Sequence, residues 1–289
     1  MSGLSALTAR QNSDGGWPYG NASPIRGSSC TEPTAYAMLA LIAVGESNSP
    51  EAKRGAAWLA GRQRPDGGWA PRPGVEQSTW VTALALLLPA GTLSIQREKA
   101  LAWLAAEGGR ETSWLQRTRS YLLHGHAPPA SASGFPWFPD TAAWVTPSCF
   151  ALLALEKANR ALRSNDYGER CRSAREYLLS HTCRDGGWNH GSTKALGYDS
   201  DSYPETTGQA LLALHQASGD QVQRAIERGR RHLESCRSLE AMSWLRLGLL
   251  AHSQNVPDCP VPNGHGGIQE ISLNILVDAA AKGPNVFLD

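Results

Sequence analysis

The sequence has little net charge and no long apolar run. Its 27 Lys and Arg nearly balance 26 Asp and Glu, for a net charge of +1, which gives no electrostatic footprint for nucleic acid. The most apolar run, residues 80–90, is about half of the ~20 residues that a membrane span needs. We therefore expect no nucleic-acid partner and no transmembrane helix, while peripheral contact with a membrane stays open.

Clustered cysteines are also lacking. The six cysteines are far apart and lie in helical contexts, and no charged and then apolar leader stands at residues 1–3. This pattern predicts a cytoplasmic protein with free thiols. The cysteines are Cys30, Cys149, Cys171, Cys183, Cys236 and Cys259.

Several motifs that carry chemistry are absent as well. The sequence contains no nucleophile elbow, no phosphate-binding glycine loop and no dinucleotide fingerprint. Two groups of residues could be considered for zinc, but neither has a recognised ligand spacing. We therefore predict no metal and no cofactor. The two groups are His181, Cys183 and His190, and Asp258, Cys259 and His265.

What the sequence does contain is a repeated unit, most complete at residues 54–69. A helical run there ends in a Gly-Gly turn that Asp66 opens and Trp69 closes. The ending recurs at residues 11–17, and helix and ending recur at 172–188 with the same spacing of eleven residues between aromatics. Three copies with one internal spacing indicate a repeat architecture.

Each part of this turn has a physical role. Two glycines permit positive φ and stop the helix, and the Asp side chain can bind backbone N–H groups two residues on. The Trp ring then packs over the turn, and Gln11 or Gln63, six residues earlier, is a candidate partner for its indole N–H. We predict that Trp17, Trp69 and Trp188 close clasps between neighbouring repeats at the ends of outer helices.

The pattern Arg-Gly-x-x-aromatic-Leu-x3-Gln-x2-Asp-Gly-Gly-Trp resembles the QW repeat of the squalene and hopene cyclases, also called the prenyltransferase/squalene oxidase repeat. The resemblance covers most of the chain. It implies an all-α fold, the α/α toroid of terpenoid cyclases, with inner helices around a central cavity and outer helices around them. We expect one toroid domain over residues 1–289.

Apolar runs of helical length indicate which helices are inner, because a helix that is apolar nearly all round is buried. We expect five or six inner and six or seven outer helices. Inner helices are predicted at 32–44, 76–88, 141–155, 204–214 and 239–252, with a closing helix at 268–281. Outer helices are predicted at 4–12, 51–63, 94–106, 168–182 and 220–236, and a helix at 114–124 has no clear place.

Aligning the inner helices gives a polar position near each start and, one turn later, a belt that includes aromatics. Acids at helix starts often serve only as caps, and aromatics at helical spacing are usually core. The alternative is a cavity whose aromatic faces hold a cation or a polyprenyl chain. The candidate substrate-binding residues are Glu32, Tyr36, Trp80, Trp144, Phe150, Tyr203, Gln209, Glu240 and Trp244, and Gln77, Thr146 and Val81 share the aligned positions.

The resemblance also implies an Asp-x-Asp-Asp motif whose third position protonates an alkene. Residues 199–202 read Asp-Ser-Asp-Ser, and a shifted alignment gives the last place to Glu205 but the proton donor's place to Pro204. The motif is broken in either alignment. Asp199, Asp201 and Glu205 are the candidate catalytic acids, because clustered carboxylates raise one another's pKa. The alternative is two solvated loop residues and a cap.

The leading interpretation is a terpenoid-cyclase-like protein that binds a polyprenyl or other apolar, isoprenoid-like ligand, with class II-like cyclisation initiated by acid. The alternatives are a non-catalytic scaffold or binding toroid and a carbohydrate-binding α/α barrel. The prenyltransferase zinc site is not supported, because no Asp-x-Cys exists. Squalene cyclases pair two toroids, so a partner toroid domain or a homo-oligomer stays open. The polarity of the cavity wall separates these interpretations, because an apolar aromatic pocket favours an isoprenoid, a carboxylate-rich groove favours a sugar and a filled centre favours a scaffold.

Overall fold

The structure is a computed structural model that describes residues 3–20, 27–109, 122, 132–192, 194–195, 198–257, 266–283 and 285–289. Eleven α-helices and two short antiparallel strand pairs lie in these ranges. Apart from Leu122, the predicted helix 114–124 is outside the described residues. The helices are α1 (Gly3–Ala9), α2 (Thr31–Ala43), α3 (Pro50–Ala60), α4 (Val81–Leu87), α5 (Ser94–Ala106), α6 (Val145–Leu162), α7 (Gly168–Ser180), α8 (Pro204–Ala213), α9 (Asp220–Ser235), α10 (Leu239–Ala251) and α11 (Ile268–Lys282). The strand pairs are β1 (Phe135–Pro136) with β2 (Ala143–Trp144) and β3 (Lys194–Ala195) with β4 (Tyr198–Asp199).

Six helices form a closed inner ring. Helix α2 packs on α4, α4 on α6, α6 on α8, α8 on α10, α10 on α11, and α11 returns to α2. The remaining five described helices lie outside this ring, with α3 on α2, α5 on α4 and α6, α7 on α6, α9 on α8 and α10, and α1 on α11. The all-α toroid is therefore confirmed, and the helix at 268–282 closes its ring.

Burial explains which helices are inner. In α2 buried side chains occur all round the helix from Thr31 to Leu41, whereas the outer helix α9 buries only a stripe at 222, 225, 226, 229 and 232. Two glycines let α8 and α10 approach closely, since a Cβ on Gly208 would lie 2.3 Å from the Trp244 carbonyl carbon. A helix that is apolar nearly all round is buried on every side.

One inner helix is shorter than predicted. Helix α4 begins at Val81, not at residue 76, because the preceding residues belong to the connection from the Trp69 turn. The Thr79 N–H, for example, donates to the Trp69 carbonyl at 2.9 Å. Gln77 therefore lies before the helix, and its predicted place on the inner-helix face is wrong.

The three Trp clasps are present at the ends of outer helices, as predicted. Trp17, Trp69 and Trp188 are fully buried. In each copy the indole N–H donates to the carbonyl ten residues earlier, Leu7, Leu59 or Leu178, at 2.7–2.9 Å. The ring thus lies back on its own helix and satisfies its polar atom within the repeat.

The predicted role of the Gln residues is wrong. Gln63 Nε2 donates to the Gly67 carbonyl at 2.8 Å and to the Gln96 carbonyl at 2.7 Å. Gln11 makes the equivalent bonds to the carbonyls of Gly15 and Glu51. The amide thus links the turn to the next outer helix, while the indole has its own partner.

The turn itself has the expected geometry. Gly67 has φ +98°, and the Asp66 carboxylate accepts the Gly68 N–H at 3.1 Å. A Cβ on Gly67 would lie 2.5 Å from the Lys99 carbonyl oxygen of α5, so the turn packs directly on the next outer helix. The clasp therefore joins consecutive repeats, and a side chain at Gly67 would force them apart.

Candidate functional site

The inner helices begin at one end of the ring, which we call the mouth. Glu32 of α2, Glu205 of α8, Glu240 of α10 and Glu270 of α11 lie in first turns and interact electrostatically with one another there. Burial, followed by the charges of Glu205, Glu32 and Glu270, raises the pKa of Glu240 to about 7. Burial and the charge of Glu205 raise the pKa of Glu32 as well.

Neutral groups make the hydrogen bonds of these carboxylates. Gln269 Nε2 donates to Glu240 Oε1 at 2.6 Å, and the Tyr19 hydroxyl donates to Glu32 Oε2. No cation is among the described groups that shift the pKa of Glu32 or Glu240. The mouth therefore favours the protonated form of at least one carboxyl group.

A second chain of bonds crosses the mouth between α6 and α8. Thr146 Oγ1 donates to Gln209 Oε1 at 2.7 Å, and Gln209 Nε2 donates to Glu205 Oε1 at 3.4 Å. Gln209 is buried and Glu205 is partly exposed. These bonds fix the orientation of Glu205 from the neighbouring helix.

One turn below the mouth, three buried aromatic rings meet on the axis of the ring. The ring centroids of Tyr36, Phe150 and Trp244 are 5.5–6.5 Å apart, which is the separation of aromatic rings in contact. Trp80 packs on Phe150 at 5.6 Å, and Phe287 packs on Trp244 at 5.7 Å. We call these five residues the aromatic belt. The belt fills the centre at this depth, where the resemblance implied an open cavity.

The indole N–H of Trp244 is buried and makes no close hydrogen bond among the described residues. Trp244 follows Glu240 by one helical turn, and a weak hydrogen-bonding interaction between its side chain and the Glu240 carboxyl group acts to lower the pKa of that group, against the larger effects that raise it. A buried donor that is poorly satisfied is costly. The indole N–H at the floor of the mouth is thus directed at Glu240 but only weakly bonded to it.

Trp144 and Tyr203 lie on the rim of the mouth, apart from the belt. They are the residues directly before α6 and α8, and they remain 40% and 49% exposed. The His190 ring lies between them, 6.2 Å from Trp144 and 5.2 Å from Tyr203. These three rings line an open groove of about 400 Å³.

Asp199 and Asp201 are not brought to Glu205. Both are exposed. Asp199 forms a 3.2 Å ion pair with Arg184, whereas the charge of Asp201 helps to raise the pKa of the Cys183 thiol. Both partners belong to the Trp188 turn, so the connection carries its acids toward the outer layer. The expected group of three acids is replaced by first-turn glutamates from different helices.

The alignment of the inner helices in the sequence did not identify every residue of the mouth. Glu270 gave the same signal as Glu240, a glutamate in the first turn of an apolar helix, and was identifiable. Tyr19 and Phe287 come from a connection and from the segment after α11, where no periodicity predicts where a side chain lies.

The described residues offer neither a metal site nor a membrane-spanning helix. No group of three or more His, Cys, Asp or Glu suited to a metal occurs there, and the second zinc candidate, at 258–265, is outside them. Five cysteines are described, and all five are free thiols. Among the described helices none is long and apolar enough to cross a bilayer.

Comparison with known proteins agrees with this architecture. Residues 2–78 match the family model described as the squalene-hopene cyclase C-terminal domain. A segment of 44 residues is 50% identical to the squalene–hopene cyclase of Alicyclobacillus acidocaldarius, and it spans 15% of this chain and 7% of that enzyme. Over these segments the chain is similar to squalene–hopene cyclases, and the family-model match lies in the amino-terminal repeats.

Two solved structures share the fold at low sequence identity. A variant of the type II terpene cyclase MstE from Scytonema, in complex with geranylgeranyl dihydroxybenzoate, aligns with a TM-score of 0.56 and 19% identity over 98% of this chain and 78% of that one. The α-1,6-mannanase GH76A of Salegentibacter sp. HEL1_6 aligns with a TM-score of 0.64 and 11% identity over 97% and 98%. These alignments show the fold alone, and that fold serves more than one chemistry.

Proposed function

We propose that this terpene-cyclase-like toroid binds an isoprenoid-like ligand with an oxygen function at its mouth, and that Glu240 is the acid that contacts this oxygen. The observation that carries the proposal is the Glu240 carboxyl group, whose pKa is raised to about 7 at the centre of a ring of first-turn glutamates. A carboxyl group that is partly protonated near neutral pH can donate a hydrogen bond or a proton.

The raised pKa favours an oxygen over an alkene as the proton acceptor. Protonation of an alkene needs an unusually strong acid, whereas burial and neighbouring carboxylates make Glu240 a weaker acid than an ordinary glutamic acid. The broken Asp-x-Asp-Asp motif agrees with this. Acid-initiated cyclisation is therefore the catalytic form of the proposal only for a ligand that is activated at oxygen.

The ligand's apolar part requires a place, and the packed aromatic belt leaves no room for a long chain between its rings. We infer that this part lies over the belt and along the rim, against the exposed rings of Tyr19, Trp144 and Tyr203. The Trp244 indole N–H, which makes no close hydrogen bond, then lies with Glu240 at the ligand's polar end.

Binding can be tested with geranylgeranyl dihydroxybenzoate, the isoprenoid bound by the structurally similar terpene cyclase, because it joins a polyprenyl chain to oxygen groups. Titration followed by tryptophan fluorescence is expected to show saturable binding. Glu240→Gln should weaken it by about tenfold or more at pH 6, since the Gln amide can donate a hydrogen bond but carries no charge and cannot transfer a proton to the ligand's oxygen. Mass spectrometry of the incubated ligand then reports any cyclised product.

Glu227→Gln is the matched control, because Glu227 is an exposed glutamate on the outer helix α9. This variant should bind as the parent does. The proposal is wrong if a natively folded parent shows no saturable binding, or if Glu240→Gln binds the ligand unchanged.

A carbohydrate is the second candidate ligand. Exposed aromatic rings beside carboxylates suit a sugar, and the mannanase alignment covers nearly the whole of both chains, although it shows the fold alone. Titration with α-1,6-mannotriose under the same conditions separates the two candidates. Saturable binding of the sugar, without binding of the isoprenoid, favours the second candidate.

A further inference from the structure

The end of the toroid opposite the mouth carries a basic groove, defined by Arg97, Lys157 and Arg160. Lys157 and Arg160 lie in the last turns of α6, and Arg97 reaches the same end from the outer helix α5. The groove has a volume of about 490 Å³. Asp289 is the only acidic residue among those that line it, so three cationic side chains face one acidic side chain.

Two of the cations are deeply buried. Arg97 is 9% exposed and Lys157 is 6% exposed, although such side chains are almost never buried without a partner. Burial, and then the charges of Arg97 and Arg160, lower the pKa of Lys157 to about 8, against the opposing effect of Asp289. The protein thus holds positive charge here at a cost in free energy.

The hydrogen-bonding capacity of these cations is largely unused. Arg97 Nη1 donates to the Leu88 carbonyl at 3.0 Å, but its Nη2 is buried without a hydrogen-bond partner among the described residues. Lys157 donates to the Val286 carbonyl at 2.6 Å, and Arg160 donates to the Leu288 carbonyl. An Arg side chain has five N–H donors and a Lys side chain has three, so most of them have no acceptor in the described bonds.

Anchoring of residues 286–288 does not by itself explain three cations. Two backbone carbonyls need two donors, and Arg97 contacts neither of them in the described bonds. A basic residue near the end of α6 also complements the helix dipole, but Arg97 lies near the start of α5, where that effect is unfavourable. Arg97 therefore points to an anionic acceptor that does not come from the described chain.

We propose that the basic groove binds a small phosphate-bearing anion through Arg97, Lys157 and Arg160. Planar guanidinium groups match the oxygens of a phosphate and Lys supplies a point charge, while the excess of positive side chains in the groove favours an anion. This site lies at the opposite end of the ring from the mouth, and it does not depend on the function proposed there.

Isothermal titration calorimetry of the full chain, with inorganic phosphate and separately with pyrophosphate at low ionic strength, tests this proposal. We expect saturable binding of one anion per chain. The anion that binds more tightly indicates whether the natural ligand carries a phosphate or a pyrophosphate group. Arg160→Gln should weaken the binding about tenfold or more, since it removes charge-assisted hydrogen bonds. Arg97→Gln should weaken it further, and added salt should weaken it in the parent.

Arg160 is exposed, so its variant keeps the test valid even if Arg97→Gln proves unstable. Lys53→Gln, which removes an exposed positive charge from α3, is the matched control and should bind as the parent does. The proposal is overturned if the folded parent binds neither anion saturably. It is equally overturned if Arg160→Gln binds with the affinity of the parent.

Discussion

Asp185 in the third Trp clasp and Glu240 at the mouth carry the same chemical group, but their pKa values are shifted in opposite directions. At Asp185 burial acts to raise the pKa, but hydrogen bonds from Ser202 and Gly187, together with the charge of Arg228, outweigh it and lower the pKa. At Glu240 burial is the largest cause and raises the pKa, and the neighbouring charges add to it. The kind of neighbour decides whether the effect of burial is outweighed or reinforced, and this separates a structural carboxylate from a candidate acid.

The clasps also show how one geometry accepts different partners. In the first clasp the Trp58 indole donates to Asp14 Oδ2 at 2.9 Å. In the third clasp Arg228 makes a 2.9 Å ion pair with Asp185 Oδ2. Arg228 follows Arg224 by four residues, as Trp58 follows Arg54, so the two partners hold equivalent positions in their repeats. Both partners donate to the carboxylate, whereas the described hydrogen bonds give Glu240 one close donor, the neutral side chain of Gln269.

The largest effect is expected at the clasps. Trp69→Ala should lower the free energy of unfolding by about 3–5 kcal/mol, because it removes a fully buried ring and leaves a cavity. Trp144→Ala, which removes a ring that is 40% exposed, is the matched control and should cost less than about 1 kcal/mol. Chemical denaturation of both variants measures the difference. Equal costs would show that the clasps carry no special share of the stability.

A smaller effect is expected when a clasp carboxylate loses its charge. Asp185→Asn should destabilise the protein by about 1–3 kcal/mol at pH 7, because charge-assisted bonds from Ser202 and Arg228 are weakened. The pKa of Asp185 is lowered on folding, so its contribution is present above the ordinary pKa of 3.8 and is lost as pH falls through the folded value. Denaturation at pH 7 and pH 3 should show a larger difference between the variant and the parent at pH 7 than at pH 3.

Much of the fold was predictable because it repeats. The turn at 66–69 appears in three copies, and helices that are apolar all round are inner by necessity. Alignment of first turns found Glu32, Glu205 and Glu240, since a helix start can be read from the sequence. It could not show that the rings of Tyr36, Phe150 and Trp244 touch, because periodicity gives a direction round a helix but not the distance to the facing helix.

Connections gave the least reliable predictions. Asp199 was expected beside Glu205 because six residues separate them, but the short strand pair β3–β4 brings it to Arg184. Such a segment has no hydrophobic periodicity, so the sequence does not specify which way it turns. Phe287 was missed for the same reason, although it completes the aromatic belt.

The contribution of Glu240 to stability should depend on pH in the opposite direction from that of Asp185. The folded pKa of Glu240, about 7, lies above its ordinary value of 4.5, so its contribution to stability is fully present below pH 4.5 and is lost as pH rises through 7. Glu240→Gln should therefore stabilise the protein at pH 8 relative to the parent, by on the order of 1–2 kcal/mol after allowance for partial exposure. Thermal melts at pH 4.5 and pH 8 measure this, and Glu227→Gln should show no such dependence.

The smallest effect is expected at Asp199, and it separates the mouth from the outer connection. Its carboxylate is exposed and pairs with Arg184, which is itself 83% exposed, and exposed pairs of this kind contribute roughly 0–1 kcal/mol. Asp199→Asn should thus leave the melting temperature nearly unchanged. If the acid role belongs to the first-turn glutamates, this variant should also bind geranylgeranyl dihydroxybenzoate as the parent does, whereas Glu240→Gln should not. If Asp199→Asn has normal stability but loses ligand binding, the acid role belongs to the 199–205 connection instead. Asp201→Asn would then also be expected to lose ligand binding.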